Sequence, residues 1–189
     1  MVDYNDDIIK ACSVLKNGGI ILYPTDTIWG LGCDATNVRA VQKIFDLKLR
    51  ADSKALIILV AEETDVVKYI HTLPDFKNAA PYLFKPLTII YEQAKNLAPN
   101  VLAEDGSVAI RIVKDNFCKA LIKALGEPIV STSANVSGLP APSTFHHVTQ
   151  QIKNGVDYMV QHRRNDLNLA LPSSIIKLKN DGTVEVIRP

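Results

Sequence analysis

Apolar and polar residues alternate along this chain with two different periods, which separates predicted helices from predicted strands. Apolar side chains recur at a spacing of three to four in residues 6–16, 38–47 and 116–125, the pattern of amphipathic helices. Short apolar runs instead predict strands, at residues 19–23, 55–60, 87–91, 108–112, 129–132, 174–178 and 183–187. Strands separated by helices predict a layered α/β domain around a central sheet.

Capping and turn residues mark where several of these elements begin and end. Asn116 is the expected N-cap of the helix over residues 116–125. Ser143 is expected to cap a further helix that runs to about residue 154. An Asp-Gly pair at residues 181–182 favours a tight turn between the last two strands. Because a tight hairpin pairs its strands antiparallel, the sheet is predicted to be mixed.

The composition is that of an ordinary globular protein. Of the 189 residues, 47% are hydrophobic and 22% are charged, which is sufficient for one well-buried core. Neither an internal repeat nor a Gly/Ser-rich linker divides the chain, so a single domain over residues 1–189 is predicted. The formal net charge is +1. An anion-binding site must therefore come from a local cluster of cations rather than from bulk charge.

The cysteines and the first residues bear on the compartment. Cys12, Cys33 and Cys118 are far apart and form no C-x-x-C pair, so a reducing compartment is expected. Residues 1–10 include three aspartates and no apolar stretch of signal-peptide length. No apolar run approaches the roughly 20 residues that span a bilayer. We therefore expect a soluble cytoplasmic protein without a membrane partner.

Two polar segments follow predicted elements in the first third of the chain. Residues 23–32 (YPTDTIWGLG) leave a strand with two threonine hydroxyls and two glycines, which suit a polar ligand that approaches the backbone. An ordinary strand exit with turn glycines explains them equally well. Lys48 and Arg50 would share one face of an extended chain and could grip phosphate oxygens. Alternatively, they are cations that favour the end of a helix.

Two further groups of residues suggest an anion site. Residues 131–138 (STSANVSG) place hydroxyls and an amide directly after a predicted strand, where ligands of open α/β sheets bind. Turns and caps use the same residue types. Arg111 and Arg188 lie in apolar strands, where a cation is costly unless it is paired or faces a polar cavity. Alternation could also put either arginine on a solvated face.

Some familiar chemistries leave no trace in the sequence. The chain has no G-x-x-x-x-G-K-[ST] phosphate loop, no G-x-G-x-x-G fingerprint and no G-x-S-x-G elbow. Its histidines, at positions 71, 146, 147 and 162, lack partners at metal-ligand spacing. A nucleotide user without a phosphate loop must hold phosphates with strand-end cations and hydroxyls.

Taken in order, several blocks resemble the YrdC/TsaC family. Its YPTET-like opening is similar to residues 23–27 (YPTDT), its K-x-R to residues 48–50 (KLR), and its S-x-N triplet after P-[IL]-V to residues 133–135 (SAN) after 128–130 (PIV). The remaining blocks that resemble the family are residues 107–111 (SVAIR), 172–176 (PSSII) and 187–189 (IRP). The resemblance spans roughly residues 18–189, nearly the whole chain.

The resemblance implies a fold, an activity and a set of site residues. The fold is α/β (α+β in some schemes), with three layers in which a twisted mixed β-sheet carries helices on both faces around a basic cavity. The activity is that of an L-threonylcarbamoyladenylate synthase, a nucleotidyltransferase that makes threonylcarbamoyl-AMP and pyrophosphate from L-threonine, bicarbonate and ATP for tRNA threonylcarbamoyladenosine modification. The implied catalytic residues are Lys48 and Arg50. The implied ATP-binding residues are Lys48, Arg50, Ser107, Ser131, Ser133, Asn135 and Arg188. The implied threonine-binding residues are Thr25, Arg111 and Ser173, with Arg111 as a carboxylate clamp.

Ligands and partners also follow from the resemblance. ATP is expected as a substrate, with Mg²⁺ carried on the nucleotide and no protein-bound metal. The product is expected to pass to a tRNA-modification transferase complex, and double-stranded RNA or tRNA is a further expected partner. Two alternatives stay open, namely an RNA- or nucleotide-binding module of the same fold and a YciO-like paralogue without synthase activity. The chain departs from the family at Leu59, where longer members often carry a threonine-contacting histidine, and at Lys85, where glycine is usual.

Overall fold

A mixed β-sheet runs through the centre of the molecule. The structure is a computed structural model, and it describes residues 4–49, 56–82, 85–169 and 171–189. Within these residues the sheet has nine strands in the order β7-β1-β2-β6-β3-β5-β4-β8-β9. The strands are β1 (Ile21–Tyr23), β2 (Gly30–Gly32), β3 (Ile57–Val60), β4 (Leu87–Tyr91), β5 (Val108–Ile112), β6 (Ile129–Ser133), β7 (Tyr158–Met159), β8 (Ser174–Leu178) and β9 (Val184–Arg188). The pairs β1–β7, β3–β5 and β4–β8 are parallel, and the other neighbours are antiparallel.

Helices cover both faces of this sheet. The α-helices of the described residues are α1 (Asn5–Lys16), α2 (Val38–Lys48), α3 (Asn116–Leu125) and α4 (Gln150–Asn154). Short 3₁₀ helices occur at Glu63–Lys68, Lys77–Tyr82, Pro99–Val101 and Phe145–His147. None of the helices in the described part of the chain is long and apolar enough to cross a membrane.

Two separate apolar clusters identify the layers. One contains Leu15 of α1 and Leu121 of α3, packed with Leu59 of β3. The other contains Ile44 of α2, packed with Ile58 of the same strand. Because neighbouring residues of a strand point to opposite faces, α1 and α3 lie on one side of the sheet and α2 lies on the other. The predicted three-layer α/β architecture is therefore confirmed. We call the side that carries Leu59 the front face.

The predicted N-cap of α3 is wrong by one residue. Asp115, not Asn116, has extended backbone angles, and its carboxylate accepts a hydrogen bond from the Cys118 backbone N–H at 2.8 Å. Gly126 ends the helix in the left-handed region at φ 84°, where a residue without Cβ is favoured. A carboxylate at the N-cap also interacts favourably with the positive end of the helix dipole.

The helix predicted from Ser143 to about residue 154 is also wrong. The chain forms the short 3₁₀ turn at Phe145–His147 and then the separate helix α4. Val148 between them is extended, at φ −67° and ψ 125°, and its side chain is buried in the core. Ser143 does not cap a helix, and its hydroxyl instead hydrogen-bonds Nδ1 of His147 at 2.9 Å. Burial of Val148 thus decides the local backbone against a continuous helix.

Strand β2 was not predicted, because its sequence, Gly-Leu-Gly, carries no strand pattern. It pairs antiparallel with β1 on one side and with β6 on the other. A Cβ atom on Gly32 would lie 2.6 Å from Cε1 of Tyr23 and 3.0 Å from the backbone oxygen of Val130. Glycine is therefore required by close packing against both neighbouring strands.

The closing hairpin agrees with its prediction. Strands β8 and β9 pair antiparallel, and Gly182 adopts φ 82° in the turn between them. The Gly182 backbone N–H donates to the Lys179 oxygen at 2.9 Å, which closes the turn. This hairpin forms one edge of the sheet, in which β8 pairs with β4 and the end of β9 lies opposite the start of β8.

Candidate active site

A cavity of about 350 Å³ opens on the front face of the sheet. In the strand register, Ile57 of β3 stands between Ala109 of β5 and Ser131 of β6, and all three line the cavity. Its described polar lining residues are Thr27, Arg111, Ser131, Thr132, Ser133, Ser173 and Arg188. The apolar remainder comes largely from Ile57, Ile90, Ile175 and Ile187. A cavity of this volume with few polar groups on an apolar floor is typical of a small-molecule site.

Arg111 is buried in the wall of this cavity, with only 4% of its surface exposed. Its Nη1 donates a hydrogen bond to the Thr27 hydroxyl at 2.9 Å, and its Nη2 lies 3.3 Å from the Asp26 carboxylate. Its buried Nε has no hydrogen-bond partner among the described residues. A buried donor without an acceptor is costly, so a ligand oxygen in the cavity would satisfy it.

Arg188 adds a second guanidinium to the same cavity. Its Nε donates to the Ser173 backbone oxygen at 2.8 Å, and its Nη2 lies 3.5 Å from the Ser173 hydroxyl. The pKa of Arg188 is lowered, chiefly because partial burial disfavours the charged form and secondly because the Arg111 charge lies nearby. Two like charges that face one cavity repel each other, and an anion between them removes that repulsion.

Strand β6 supplies two hydroxyls on the same face as Ile57. Ser131 and Ser133 are two residues apart and line the cavity together. Gly30 of β2 approaches them so closely that a Cβ would lie 3.3 Å from the Ser131 hydroxyl. The glycine leaves the space above β6 open, as expected where a ligand approaches backbone.

Ser173 is held by a hydroxyl pair at the start of β8. Its Oγ lies 2.8 Å from Oγ1 of Thr88, which is fully buried in β4. Thr88 was not predicted as a site residue, because it stands within the apolar run 87–91 and carries no separate signal. The parallel register of β4 with β8, which sets Thr88 opposite Ile175, brings the two hydroxyls together.

Lys48 lies behind the loop that follows β6 rather than in the cavity lining. The side chain is only 1% exposed, and its Nζ donates to the backbone oxygens of Ser133 and, at 2.6 Å, of Asn135. The Lys48 oxygen in turn accepts from the Ser137 backbone N–H at 2.8 Å. Lys48 therefore holds the loop that carries the Ser-Ala-Asn triplet against the end of α2.

Asn135 and Arg50 are two further residues for which the sequence predicts phosphate binding. The Asn135 side-chain amide donates to the oxygens of Val136 and Leu139, and its buried Oδ1 has no hydrogen-bond partner among the described residues. Arg50 lies outside the described residues, so its predicted catalytic and ATP-binding roles stay predictions.

Ser107 precedes β5, four residues before Arg111. By alternation it shares the front face with Ala109 and Arg111, although it is not among the lining residues. Its backbone N–H donates to the Asp105 carboxylate at 3.0 Å. The pKa of Asp105 is lowered to about 2, first because the Ser107 hydroxyl hydrogen-bonds the carboxylate and second because Lys177 does so.

Thr25 does not line the main cavity but hydrogen-bonds Thr27, which does. The Thr25 hydroxyl donates to the Ile28 oxygen at 2.8 Å, accepts from the Thr27 backbone N–H and lies 3.0 Å from the Thr27 hydroxyl. Thr27 lines the main cavity, whereas Thr25 lines a side cavity of about 10 Å³. Asp26 and Thr27 were not assigned roles from the sequence, although their segment was singled out. Alternation from Thr25 would have indicated Thr27.

The two departures from the family pattern lie away from the cavity lining. Leu59 pairs with Arg111 across β3 and β5 but is fully buried in the cluster beneath α1 and α3. Lys85 lines a different cavity, of about 580 Å³, together with Ile89 and Ile110. Ile110 precedes Arg111 and faces the opposite side of the sheet, so Lys85 does not reach the candidate site.

The chemistry of the site is that of a receptor for anions. No carboxylate occurs among the described residues that line the cavity, and two guanidiniums do. Nowhere in the described parts of the chain do three His, Cys, Asp or Glu side chains come together in a way that could hold a metal ion. Hydroxyls, guanidiniums and backbone groups can position phosphate and carboxylate oxygens and neutralise their charge.

Comparisons with known proteins show the family to which the chain belongs. A family model described as Sua5_yciO_yrdC, telomere recombination, matches residues 13–189. A threonylcarbamoyl-AMP synthase of Hahella chejuensis is 34% identical over 170 residues, which are 89% of this chain and 91% of the relative. Another, from Idiomarina loihiensis, is 33% identical over 178 residues, which are 90% and 92% of the two chains.

Among solved structures, P. abyssi Sua5 complexed with L-threonine superposes with a TM-score of 0.83 at 25% identity. The match covers 100% of this chain and 55% of the Sua5 chain. This chain therefore spans little more than half the length of that Sua5 protein, while it spans nearly all of the two synthases above.

Proposed function

This chain belongs to the Sua5/YciO/YrdC family, and we propose that it is an L-threonylcarbamoyladenylate synthase acting in tRNA threonylcarbamoyladenosine modification. The observation that carries the proposal is the convergence of Arg111 and Arg188 on one cavity beside the hydroxyls of Ser131 and Ser133. The buried Nε of Arg111, which has no partner among the described residues, supports an anionic ligand at that point. Relatives that are named threonylcarbamoyl-AMP synthases and align over nine-tenths of the chain support the identity of the reaction.

The reaction joins three substrates by a nucleotidyl transfer. The threonine amine and bicarbonate form a carbamate with loss of water. A carbamate oxygen attacks the α-phosphorus of ATP, the bond to the β-phosphate breaks, and pyrophosphate leaves with the electron pair. The products are threonylcarbamoyl-AMP, pyrophosphate and water. Since carbamate is already an anionic nucleophile, the protein must align anions and neutralise charge rather than supply a strong base.

Threonine would bind beside β5 and the start of β8. Arg111 is the carboxylate clamp, because its guanidinium lines the cavity, is held by Asp26 and Thr27, and has at Nε a donor without a partner among the described residues. Ser173, oriented by Thr88, would contact the amino acid from the neighbouring strand. In this proposal Thr25 acts through Thr27, whose hydroxyl it orients.

ATP would bind between β6 and the end of β9. Arg188, Ser131 and Ser133 face the cavity there, and Lys48 and Asn135 hold the loop that follows Ser133. Ser107 and Arg50 are the remaining proposed ATP-binding residues. Mg²⁺, which neutralises phosphate charge, would enter coordinated by the nucleotide, because the described donors are cations and hydroxyls that suit the phosphates rather than the metal.

The product defines the next step in the proposal. Threonylcarbamoyl-AMP is a mixed anhydride, so its acyl group is activated for transfer to an amine of tRNA. A tRNA-modification transferase complex is therefore the proposed downstream partner. Direct contact of this chain with tRNA or double-stranded RNA would have to use local cations, since the net charge is only +1.

The proposal is tested by pyrophosphate release from ATP and Mg²⁺ in bicarbonate, with and without L-threonine, together with detection of threonylcarbamoyl-AMP by mass spectrometry. We expect release that depends on both threonine and bicarbonate, with D-threonine as a stereochemical control. Absence of threonine-dependent release from folded protein would contradict the synthase assignment. In that case, RNA binding that weakens steeply with salt would favour the RNA-binding module, and its absence would favour the inactive paralogue.

A further inference from the structure

Arg163 has an unusual backbone for an arginine. It lies in the connection between β7 and β8 and adopts φ 63°, in the left-handed region that residues with a Cβ rarely occupy. Such conformations persist only where surrounding contacts enforce them. Its side chain, 32% exposed, is absent from the residues that line the main cavity, so it would not touch a ligand there.

The guanidinium of Arg163 joins three segments of the chain. Its Nη1 donates to the Thr25 backbone oxygen at 3.0 Å and lies 3.3 Å from the Asp115 carboxylate. Its Nε donates to the Asp166 carboxylate at 3.2 Å. Asp166 is three residues away in the same connection, whereas Thr25 and Asp115 are distant in sequence. The contacts enforce one position of the side chain relative to both distant segments.

These two distant segments are the ones that flank Arg111. Thr25 belongs to the turn in which its hydroxyl bonds Thr27, and the Thr27 hydroxyl accepts from Arg111. Asp115 follows β5, the strand of Arg111, and the intervening Lys114 backbone N–H donates to the Asp26 carboxylate at 3.3 Å. Arg163 therefore links, from outside the cavity, the turn that contacts the Arg111 guanidinium to the segment that follows the strand of Arg111.

We infer that Arg163 is a positioning residue for the carboxylate clamp, acting through the 24–28 turn. Its Nη1 bonds both an oxygen of the turn and the carboxylate of Asp115, while its Nε bonds Asp166. The single ammonium of a lysine cannot reproduce donors placed on two nitrogens of a planar fork. Loss of the fork would let the turn and Arg111 move, so that the guanidinium spends less time in the orientation that receives a carboxylate. The role in catalysis rests on the proposed function, whereas the effect on Arg111 does not.

The first test compares Arg163→Ala, Arg163→Lys and Arg164→Ala in the full chain. Arg164 is the matched control, because its guanidinium bonds the oxygens of Met159 and Val160 and stacks on Phe145 without contact to the turn. We expect R163A to raise the KM for L-threonine about tenfold with kcat and the KM for ATP little changed. R163K should recover part of this loss, and R164A should match the wild type. A lower kcat at unchanged threonine KM would instead mean a merely structural role and overturn the inference.

The second test measures the accessibility of the Arg111 guanidinium and does not depend on enzymatic turnover. Phenylglyoxal labels accessible guanidiniums, and peptide mass spectrometry reports the labelling rate of Arg111 alone. We expect faster labelling of Arg111 in R163A than in the wild type or R164A. Unchanged labelling would overturn the inference even if the synthase reaction is present. Faster labelling in a protein without synthase activity would retain the positioning role and reject the proposed function. If R163A does not fold, R163Q takes its place, since it keeps a polar side chain but loses the charge and the fork.

Discussion

Nη2 of Arg111 lies 3.3 Å from Oδ1 of Asp26, and the two side chains are 5% and 11% exposed. The pair is thus a buried one, formed between a strand and the turn that precedes β2. In such a setting the Asp26 carboxylate compensates the buried positive charge of the arginine and limits the rotation of its side chain. Arg111 is already positioned without a ligand, which reduces the entropic cost of ordering its side chain on binding.

Removal of one partner of this pair should destabilise the protein. We expect Arg111→Ala to lower the free energy of unfolding by about 3–5 kcal/mol, because the Asp26 carboxylate stays buried without its partner. The double variant R111A/D26N should recover part of that loss, since it removes the uncompensated charge. Urea unfolding of the wild type, both single variants and the double variant measures the coupling. Additive effects of the two substitutions would contradict the buried pair.

A conservative change at the same position should separate charge from geometry. Arg111→Lys keeps the positive charge but offers no fork, so the KM for L-threonine should rise about tenfold or more while the KM for ATP changes little. Initial rates of pyrophosphate release over a threonine titration provide the measurement. Arg39→Lys, on the exposed first turn of α2, is the control. An unchanged threonine KM in R111K would remove Arg111 from the threonine site.

Lys48 should matter for stability as well as for turnover. Lys48→Met retains the apolar part of the side chain but leaves the oxygens of Ser133 and Asn135 without their charged donor. We expect a loss of about 2 kcal/mol in the free energy of unfolding and a raised KM for ATP, because the loop after β6 is released. Lys43→Met is the matched control on the same helix, since Lys43 is exposed and donates to the Gly18 oxygen. Equal effects of the two variants would show that the buried contacts of Lys48 are unimportant.

The hydrogen-bonded carboxylate of Asp105 predicts a specific acid dependence of stability. Its pKa is lowered from 3.8 to about 2 by the Ser107 hydroxyl first and by Lys177 second. Because the folded-state pKa is depressed, its contribution to stability is fully present above the unfolded value near 3.8 and is lost as pH falls toward 2. The carboxylate is largely exposed, so solvent screening keeps the effect small.

Asp105→Asn removes this titrating group. We therefore expect the variant to be less stable than the wild type at pH 6 and to approach it as the pH falls from about 4 to 2. Thermal unfolding across that range, with Asp181→Asn in the exposed β8–β9 turn as a second carboxylate variant, is the measurement. A difference in stability between D105N and the wild type that stays constant from pH 6 to pH 2 would show that Asp105 is not the group responsible.

Several elements of this fold could be predicted from the sequence because their residues satisfy local and tertiary demands at once. In α1, α2 and α3, most of the apolar residues that give the helical spacing in the sequence are also residues that the structure buries. The strand at Val108–Ile112 was predicted with its bounds, because four of its five residues are apolar. The prediction of one helix over residues 143–154 was wrong. Ser143 has the chemistry of an N-cap, but the buried and extended Val148 interrupts the helix, and no local sequence pattern indicates that burial.

The residues of the candidate site also fall into those that the sequence predicted and those that it did not. Arg111, Ser131, Ser133, Ser173 and Arg188 were named from the sequence and line one cavity. Thr88 and Thr27 were not, because a threonine in an apolar run or in a turn has no distinguishing signal until its partner is known. Thr25 and Lys48 were named as ligand-binding residues, and in the structure their polar groups bond the protein itself.

The sequence by itself determined the kinds of groups that the site can use, namely guanidiniums at strand positions and hydroxyls at the end of β6, because side-chain chemistry and strand periodicity are local properties. Tertiary structure alone decided which of these groups meet. The register that pairs Leu59 with Arg111 and Ile57 with Ser131 fixes the floor of the cavity. The contacts of Asp26 and Arg163 then fix the clamp. Those relationships join residues tens of positions apart, and only the packed sheet brings them within hydrogen-bonding distance.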